Sequence, residues 1–173
     1  MTYTELINAI QAYTENTFPS SFLASGGTYS YTQQLNTFIT QAEERIYNTV
    51  QIPAIRKNVT GNTTNGNKYL VCPNDFLSVF SIAVIDGTGN YEYLLNKDVN
   101  FIRAAYPSAS TSGIPKYYAL FGPRVQSGGA ITDELSFILG PTPDGTYTVE
   151  LHYFYYPESI TVAADGRTWL GDN

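Results

Sequence analysis

The chain has 173 residues, 43% of them hydrophobic, which suffices for one domain or for one domain with a small helical appendage. Only 14% of the residues are charged, against roughly 25% in ordinary soluble domains, and the net charge is −6. Such an acidic surface disfavours specific nucleic-acid binding, and the single cysteine, Cys72, excludes an internal disulfide and a cysteine-based zinc site.

The first residues predict a helix. Thr2 and Glu5 form a T-x-x-E capping box, and Leu6, Ile10 and Tyr13 follow at helical spacing. Pro19 disfavours helix in the residue before it and predicts a break, and a Gly-Gly pair at 26–27 continues the loop. The start lacks the basic and apolar regions of a signal peptide, and no run approaches about 18 apolar residues. We therefore expect a soluble protein made in the cytoplasm.

A second helix is predicted from about residue 31 to residue 49. Its apolar residues form one continuous face: Leu35, Phe38, Ile39, Ala42 and Ile46. The adjacent Glu43 and Glu44 point about 100° apart, so they cannot form a paired acid/base site. They belong either to a solvated face near Arg45 or to a charged interface.

Beyond Pro53 the pattern changes to alternation with a period of two. Segments rich in Val, Ile, Tyr and Phe are separated by Gly, Asn and Asp turns. These segments are 54–60, 68–72, 77–86, 91–95, 116–121, 134–140 and 146–156. Between them, Asp98 is a candidate cap for a helical turn containing Phe101 and Ile102.

The fold class predicted is α+β, with N-terminal α-helices and an antiparallel β-sandwich or barrel. We expect a helical region over 1–52, a β-domain over 53–160 and a C-terminal segment over 161–173. The pair Trp169-Leu170 lies three residues from the end, where it either inserts into a groove or begins a further helical region.

Candidate catalytic residues are few. His152 is the only histidine and lies on the more polar face of the last strand, so we interpret it as a sheet-face side chain. Cys72 is interpreted as a small buried hydrophobe. No phosphate-binding loop or calcium loop is complete, and Asp86-Gly87-Thr88-Gly89-Asn90 is better interpreted as a hairpin turn. We expect no enzyme activity, no cofactor and no metal site.

An ordered set of short motifs does carry information. "A-E-x-x-I" begins at Ala42, "P-x-D-F-L" at Pro73, "G-x-P-x-Y-Y-A" at Gly113 and "P-x-P-D" at Pro141, and the Trp-Leu pair follows. In order and spacing, across roughly residues 30 to 170, this set resembles the head-to-tail adaptor proteins of tailed bacteriophages, especially short-tailed ones.

The resemblance implies a structural virion protein without enzyme activity. Such adaptors form a ring, dodecameric in the family, beneath the portal protein, receive the tail nozzle or tail fibres below, and let DNA pass through the lumen without specific binding. Members of the family usually continue past the Trp-Leu pair into further helices, whereas this sequence stops at Asn173, so we expect either a shortened member or a truncated chain. No membrane partner is implied.

Two hypotheses follow for the surfaces involved. In the adaptor, Glu43, Glu44 and Arg45 are expected at the exposed edge of the second helix, where they and Trp169 contribute to subunit or portal contacts. The alternative function is a β-sandwich receptor- or carbohydrate-binding module of a tail fibre, with the aromatic run 153–156 as a stacking platform.

Overall fold

The computed structural model describes residues 1–16, 21–24, 27–50, 52–108, 110–122, 124–125, 131–133, 135–164, 166–168 and 170. The chain divides into two compact units. The helical unit comprises Met1–Ile55 and Tyr156–Asn173, and the β unit comprises Arg56–Tyr155.

Both predicted N-terminal helices are present in the helical unit. Helix α1 spans Tyr3–Thr14 and α2 spans Tyr31–Thr49. Thr2 and Glu5 form the predicted capping box on α1, and Ser30 and Gln33 form a second one on α2. In a capping box two otherwise unpaired backbone N–H groups are satisfied by side chains, so the sequence determines these helix starts locally.

A hairpin lies between the two helices, where the sequence indicated a loop. Strand β1 (Ser21–Ala24) pairs antiparallel with β2 (Gly27–Ser30). The expectation of a continuous loop is therefore wrong. The segment is rich in Ser, Gly and Thr and has no apolar alternation, so nothing in its pattern indicated strands.

Helix α1 lies on α2 through polar contacts and half-buried apolar residues. The Tyr3 hydroxyl donates to Asn36 Oδ1 at 2.6 Å, and the Gln11 amide donates to the Tyr31 hydroxyl. No residue of α1 is fully buried, and Tyr13 is 91% exposed. The apolar stripe of α1 thus ends at Ile10, one turn earlier than its spacing suggested.

The β unit contains ten strands and one helix in the part of the chain that the structure describes. The strands before the helix are β3 (Arg56–Asn62), β4 (Tyr69–Val71), β5 (Phe76–Ile85), β6 (Tyr91–Tyr93) and β7 (Leu95–Asn96). Helix α3 (Val99–Ala105) follows and is capped by Asp98, as predicted. The later strands are β8 (Tyr117–Phe121), β9 (Arg124–Val125), β10 (Ile131–Asp133), β11 (Ser136–Gly140) and β12 (Thr148–Tyr155).

Two four-stranded sheets form the body of this unit. Their orders are β3-β12-β5-β6 and β4-β11-β8-β7, with β9 and β10 as a separate hairpin. All pairings are antiparallel except that of β7 with β8. The predicted α+β class, with N-terminal helices and an antiparallel sandwich, is confirmed.

One core cluster draws residues from both sheets. Ile82, Val84 and Leu151 come from the first sheet, and Phe137 and Leu139 come from the second. Phe137 is completely buried and meets the rings of Phe76 and Tyr118 edge to face, at centroid distances of 5.6 and 5.8 Å. A smaller cluster packs α3 on the outer face of the second sheet through Ile102, Ala119 and Ile138.

The alternation of β12 is broken near its end. Val149, Leu151 and Tyr153 are buried on the core face, but Phe154 is also buried, at 6% exposure. The pairing of β12 with β5 shifts register between His152 and Tyr153. The face of the last strand that was predicted to be the more polar one is thus apolar at Phe154, whose ring packs on Phe80.

Candidate interaction surface

The apolar face of α2 consists of one line of buried residues and one line of exposed residues. Leu35 and Ile39 are buried together with Glu43 and Tyr47, four residues apart each time. The parallel line of Phe38, Ala42 and Ile46 is exposed, and Phe38 reaches 54%. Three of the five residues in the predicted apolar face are therefore exposed to solvent.

This line of exposed residues borders a groove with a volume of about 260 Å³. Apolar side chains from α1, α2 and the C-terminal segment form nearly all of its wall. The lining residues are Met1, Leu6, Ile10, Leu35, Phe38, Ile39, Ala42, Glu43, Ile46, Ile160, Thr168 and Leu170. An open apolar surface bounded by exposed large side chains is typical of protein–protein contact sites.

Glu43 lies in the wall of this groove and is 6% exposed. Its Oε1 accepts a hydrogen bond from the backbone N–H of Ile160 at 3.1 Å, which ties the C-terminal segment to α2. Its Oε2 is buried without a hydrogen-bond partner from the described residues. The expectation that Glu43 lies at an exposed edge is wrong, because position 43 falls on the buried line and Ile160 occupies its acceptor.

Glu44 and Arg45 are exposed, as expected from the turn of about 100° per residue. Glu44 borders a second, polar depression with Asn36, Thr37, Thr40 and Gln41. The interface role of Glu44 and Arg45 stays a prediction. Trp169 lies outside the described residues, although both of its neighbours, Thr168 and Leu170, line the apolar groove.

The "P-x-D-F-L" motif is a packing element of the β unit. The Lys57 ammonium donates to Asp75 Oδ2 at 2.6 Å, and the Tyr153 hydroxyl donates to Asp75 Oδ1 at 2.8 Å. The next residue of the motif, Phe76, is in the core. Burial acts to raise the pKa of Asp75, but the hydrogen bonds from Lys57 and Tyr153 outweigh it and hold the pKa of this carboxyl below its ordinary value.

The lowered pKa of Asp75 makes the stability of the β unit depend on pH in the acidic range. The contribution is complete above the unfolded pKa of about 3.9 and is lost as the pH falls through the lower folded value. We expect Asp75→Asn to flatten the fall in melting temperature between about pH 5 and pH 2. Thermal melts of both proteins across that range test this, and parallel pH profiles would contradict it.

The other two motifs also build the sandwich. In "G-x-P-x-Y-Y-A", Pro115 and Tyr118 are buried, and the Lys116 carbonyl accepts from the backbone N–H of Leu95 at 3.0 Å. In "P-x-P-D", Pro143 is buried and its carbonyl accepts from the Gly66 N–H at 2.9 Å. These motifs therefore contribute to the packing of the β unit, and their residues do not come together at one site.

The structure places the two candidate catalytic residues in different surroundings. His152 lies on the sheet face with Nδ1 3.1 Å from Ser81 Oγ and Nε2 3.6 Å from Glu150 Oε1. Cys72 is 6% exposed, and burial raises the pKa of its thiol to about 12. Across the described ranges, no cluster of three or more His, Cys, Asp or Glu side chains could hold a metal ion.

The burial of Cys72 predicts an inert thiol. A pKa of about 12 leaves a thiolate fraction on the order of 10³ lower than that of a free cysteine at pH 8, and thiolate is the reactive form. We expect iodoacetamide at pH 8 to leave the folded chain unmodified and to label it completely in urea. Intact-mass measurement reads this directly, and rapid labelling of the folded chain would show that the thiol is accessible.

The aromatic run at the end of β12 is mostly interior. Tyr153 and Phe154 are 4% and 6% exposed, and Tyr155 is half-buried against the core. Tyr156 belongs to the helical unit, where its hydroxyl donates to Asn48 Oδ1 at 3.0 Å. The run is therefore not the exposed stacking platform on which the carbohydrate-binding alternative rested.

Comparison with known proteins adds one match. A model of the SU10 adaptor protein family matches residues 1–173, and so covers both the helical unit and the β unit. No curated protein matches the chain. None of the helices in the described ranges is long and apolar enough to cross a membrane.

Proposed function

The chain belongs to the SU10 adaptor protein family, and on this premise we propose that it is a head-to-tail adaptor of a tailed phage. In this role, copies of the chain form a closed ring, a dodecamer by the resemblance, between the portal protein and the tail nozzle or fibres. DNA leaves the head through the lumen of the ring. The protein acts as a structural part of the virion and not as an enzyme.

The match of the family over the whole chain is the observation that carries this proposal. The composition supports it, because subunit contacts are enriched in Tyr and Phe and depleted in Lys, Glu and Asp. The chain has 15 Tyr and 9 Phe, and only 14% of its residues are charged. The net charge of −6 suits a lumen that DNA passes without binding.

The apolar groove of the helical unit supports a contact with another virion protein. Phe38 and Ile46 are exposed beside it, and an apolar partner surface would remove both from water. We assign Glu44 and Arg45, which are exposed on the same helix, to the rim of this contact, and we retain Trp169 as a predicted contact residue. Reversing the charges of Glu44 and Arg45 should weaken attachment to the portal without lowering the melting temperature.

A phage with a stop codon early in this gene tests the function directly. We expect cells infected by this phage to accumulate heads that lack tails, and we expect supply of the chain in trans to restore infectious particles. Electron microscopy of the lysate distinguishes tailless heads from complete virions. Complete virions with normal tails that fail only to adsorb would instead support the receptor-binding alternative.

A further inference from the structure

The first sheet of the β unit has two open edges. Its order is β3-β12-β5-β6, and in the described part of the chain no strand pairs with the outer side of β3 or of β6. All seven residues of β3 are exposed, and its register with β12 has no shift. A regular, unpaired edge presents a row of backbone N–H and C=O groups that can pair with a strand of another chain.

The directions of these two edge strands are complementary. Each of the three pairings within the sheet is antiparallel, so β3 and β6 run in opposite directions. When β3 of one copy lies beside β6 of the next copy, the two strands are therefore antiparallel and continue the pattern of the sheet. Because the two edges differ, the contact is heterologous and repeats from copy to copy, as a ring requires.

The faces of the two strands define which residues can meet. Lys57 is paired with the core residue Tyr153, and Glu92 is paired with the core residue Val84, so both point to the core side of the sheet. Tyr91 and Tyr93 alternate with Glu92 and point to the outer side, as Arg56 does from β3. Side chains on matching sides become neighbours when the sheet continues across copies.

In one register of β3 against β6, each charged side chain meets a favourable partner on its own side of the sheet. With Glu92 opposite Lys57, Tyr93 lies opposite Arg56 and Tyr91 lies opposite Asn58. Glu92 is exposed and has no charged partner among the described residues. Lys57 donates one hydrogen bond to Asp75, and its ammonium has three donors, so it can also meet Glu92. Arg56 is exposed, and its guanidinium lies 4.6 Å from the centre of the Phe80 ring. In this register the Tyr93 ring of the neighbouring copy gives the same guanidinium a second aromatic ring for a cation–π contact.

We infer that β3 of one copy pairs with β6 of the next, with Glu92 opposite Lys57, and that this edge-to-edge contact joins the subunits of the ring. The inference rests on the proposed function, because it assigns the contact within the ring proposed above. The exposed rings of Tyr91 and Tyr93, at 51% and 63%, become covered by β3 of the neighbouring copy.

Charge reversal at Glu92 is the first test. Glu92→Lys places two ammonium groups opposite each other across the contact, so we expect ring formation on the cognate portal to require about tenfold more protein or to fail. The melting temperature of the free chain should not change, because Glu92 has no charged partner among the residues that the structure describes. Glu158→Lys is the matched control, since Glu158 is exposed in the helical unit, and we expect it to assemble as the wild type does.

Cysteine cross-linking tests the register. Asn58→Cys combined with Tyr91→Cys should give a ladder of covalent multimers on a non-reducing gel after assembly on the portal, because directly opposite Cβ atoms lie about 4.5–5.5 Å apart. Each single variant, and Asn58→Cys with Val162→Cys, should give no ladder. The natural Cys72 does not interfere, because its thiol is buried.

The outcomes separate the two proposals. A ring that forms on the portal without the ladder, or that tolerates Glu92→Lys as it tolerates Glu158→Lys, overturns the edge pairing and leaves the adaptor function in place. Failure of the wild-type chain to form any ring on its portal overturns both. A ladder together with the loss caused by Glu92→Lys supports the edge pairing.

Discussion

Replacing Phe137 by alanine is expected to destabilise the β unit by about 3–5 kcal/mol. The ring is completely buried between the two sheets and contacts Phe76 and Tyr118 edge to face. Its removal loses the transfer free energy of the ring and leaves a cavity that two sheets cannot close. Since whole domains are stable by about 5–15 kcal/mol, this loss brings the unit close to unfolding at 37 °C.

Phe80→Ala is the matched control for this prediction. Phe80 is 56% exposed on the same unit, although it contacts Arg56 and Phe154, so we expect less than half of the loss. Urea denaturation followed by circular dichroism gives the free energy of unfolding of each variant. Equal losses for the two variants would mean that Phe137 is not the centre of the core.

The second large effect is expected at Glu43. Glu43→Ala removes the acceptor of the Ile160 N–H and leaves that buried donor unpaired, which costs about 1–3 kcal/mol, with a further loss from the missing side chain. Glu43→Gln keeps an oxygen for this hydrogen bond and nearly the same side-chain volume. We therefore expect Glu43→Gln to stay within about 1 kcal/mol of the wild type.

Glu158→Ala and Glu158→Gln provide the comparison, because Glu158 is exposed in the same unit. Both should lie within about 0.5 kcal/mol of the wild type. Urea denaturation of the four variants ranks them. If Glu43→Ala is no less stable than Glu158→Ala, Glu43 does not tie the C-terminal segment to α2, and its burial needs another explanation.

Local signals in the sequence predicted the helices well. The Thr2–Glu5 capping box and the Asp98 cap are contacts between residues two or three positions apart, so the sequence contains both partners side by side. The apolar spacing of α2 likewise defined its extent, because that helix depends on one face. The family resemblance that the ordered motifs indicated is confirmed by the match over residues 1–173.

Long-range contacts were not predictable in the same way. Glu43 accepts a hydrogen bond from the N–H of Ile160, which is 117 positions away, so the sequence around Glu43 did not indicate this partner. The strand order β3-β12-β5-β6 depends on pairings between distant segments, and the local alternation that marks each strand does not specify its partners. The contact of the buried Phe154 with Phe80 likewise depends on the pairing of β12 with β5 and not on β12 alone.

The structure also adds a candidate interaction surface to the one predicted from the sequence. The interface role of the charged residues Glu44 and Arg45 stays a prediction, and the structure in addition exposes the apolar line of Phe38, Ala42 and Ile46 beside a groove. The signal was present in the apolar spacing, but periodicity alone does not say which half of a wide stripe is covered. The open edges β3 and β6 became visible only once the sheet order was known.

The mass of the purified chain, alone and mixed with its cognate portal, decides whether the protein is an adaptor. Native mass spectrometry counts the copies in each complex. We expect a chain that is monomeric alone and assembles into one closed ring on the portal. A monomer or trimer that is indifferent to the portal would rule out the adaptor function and favour the receptor-binding module.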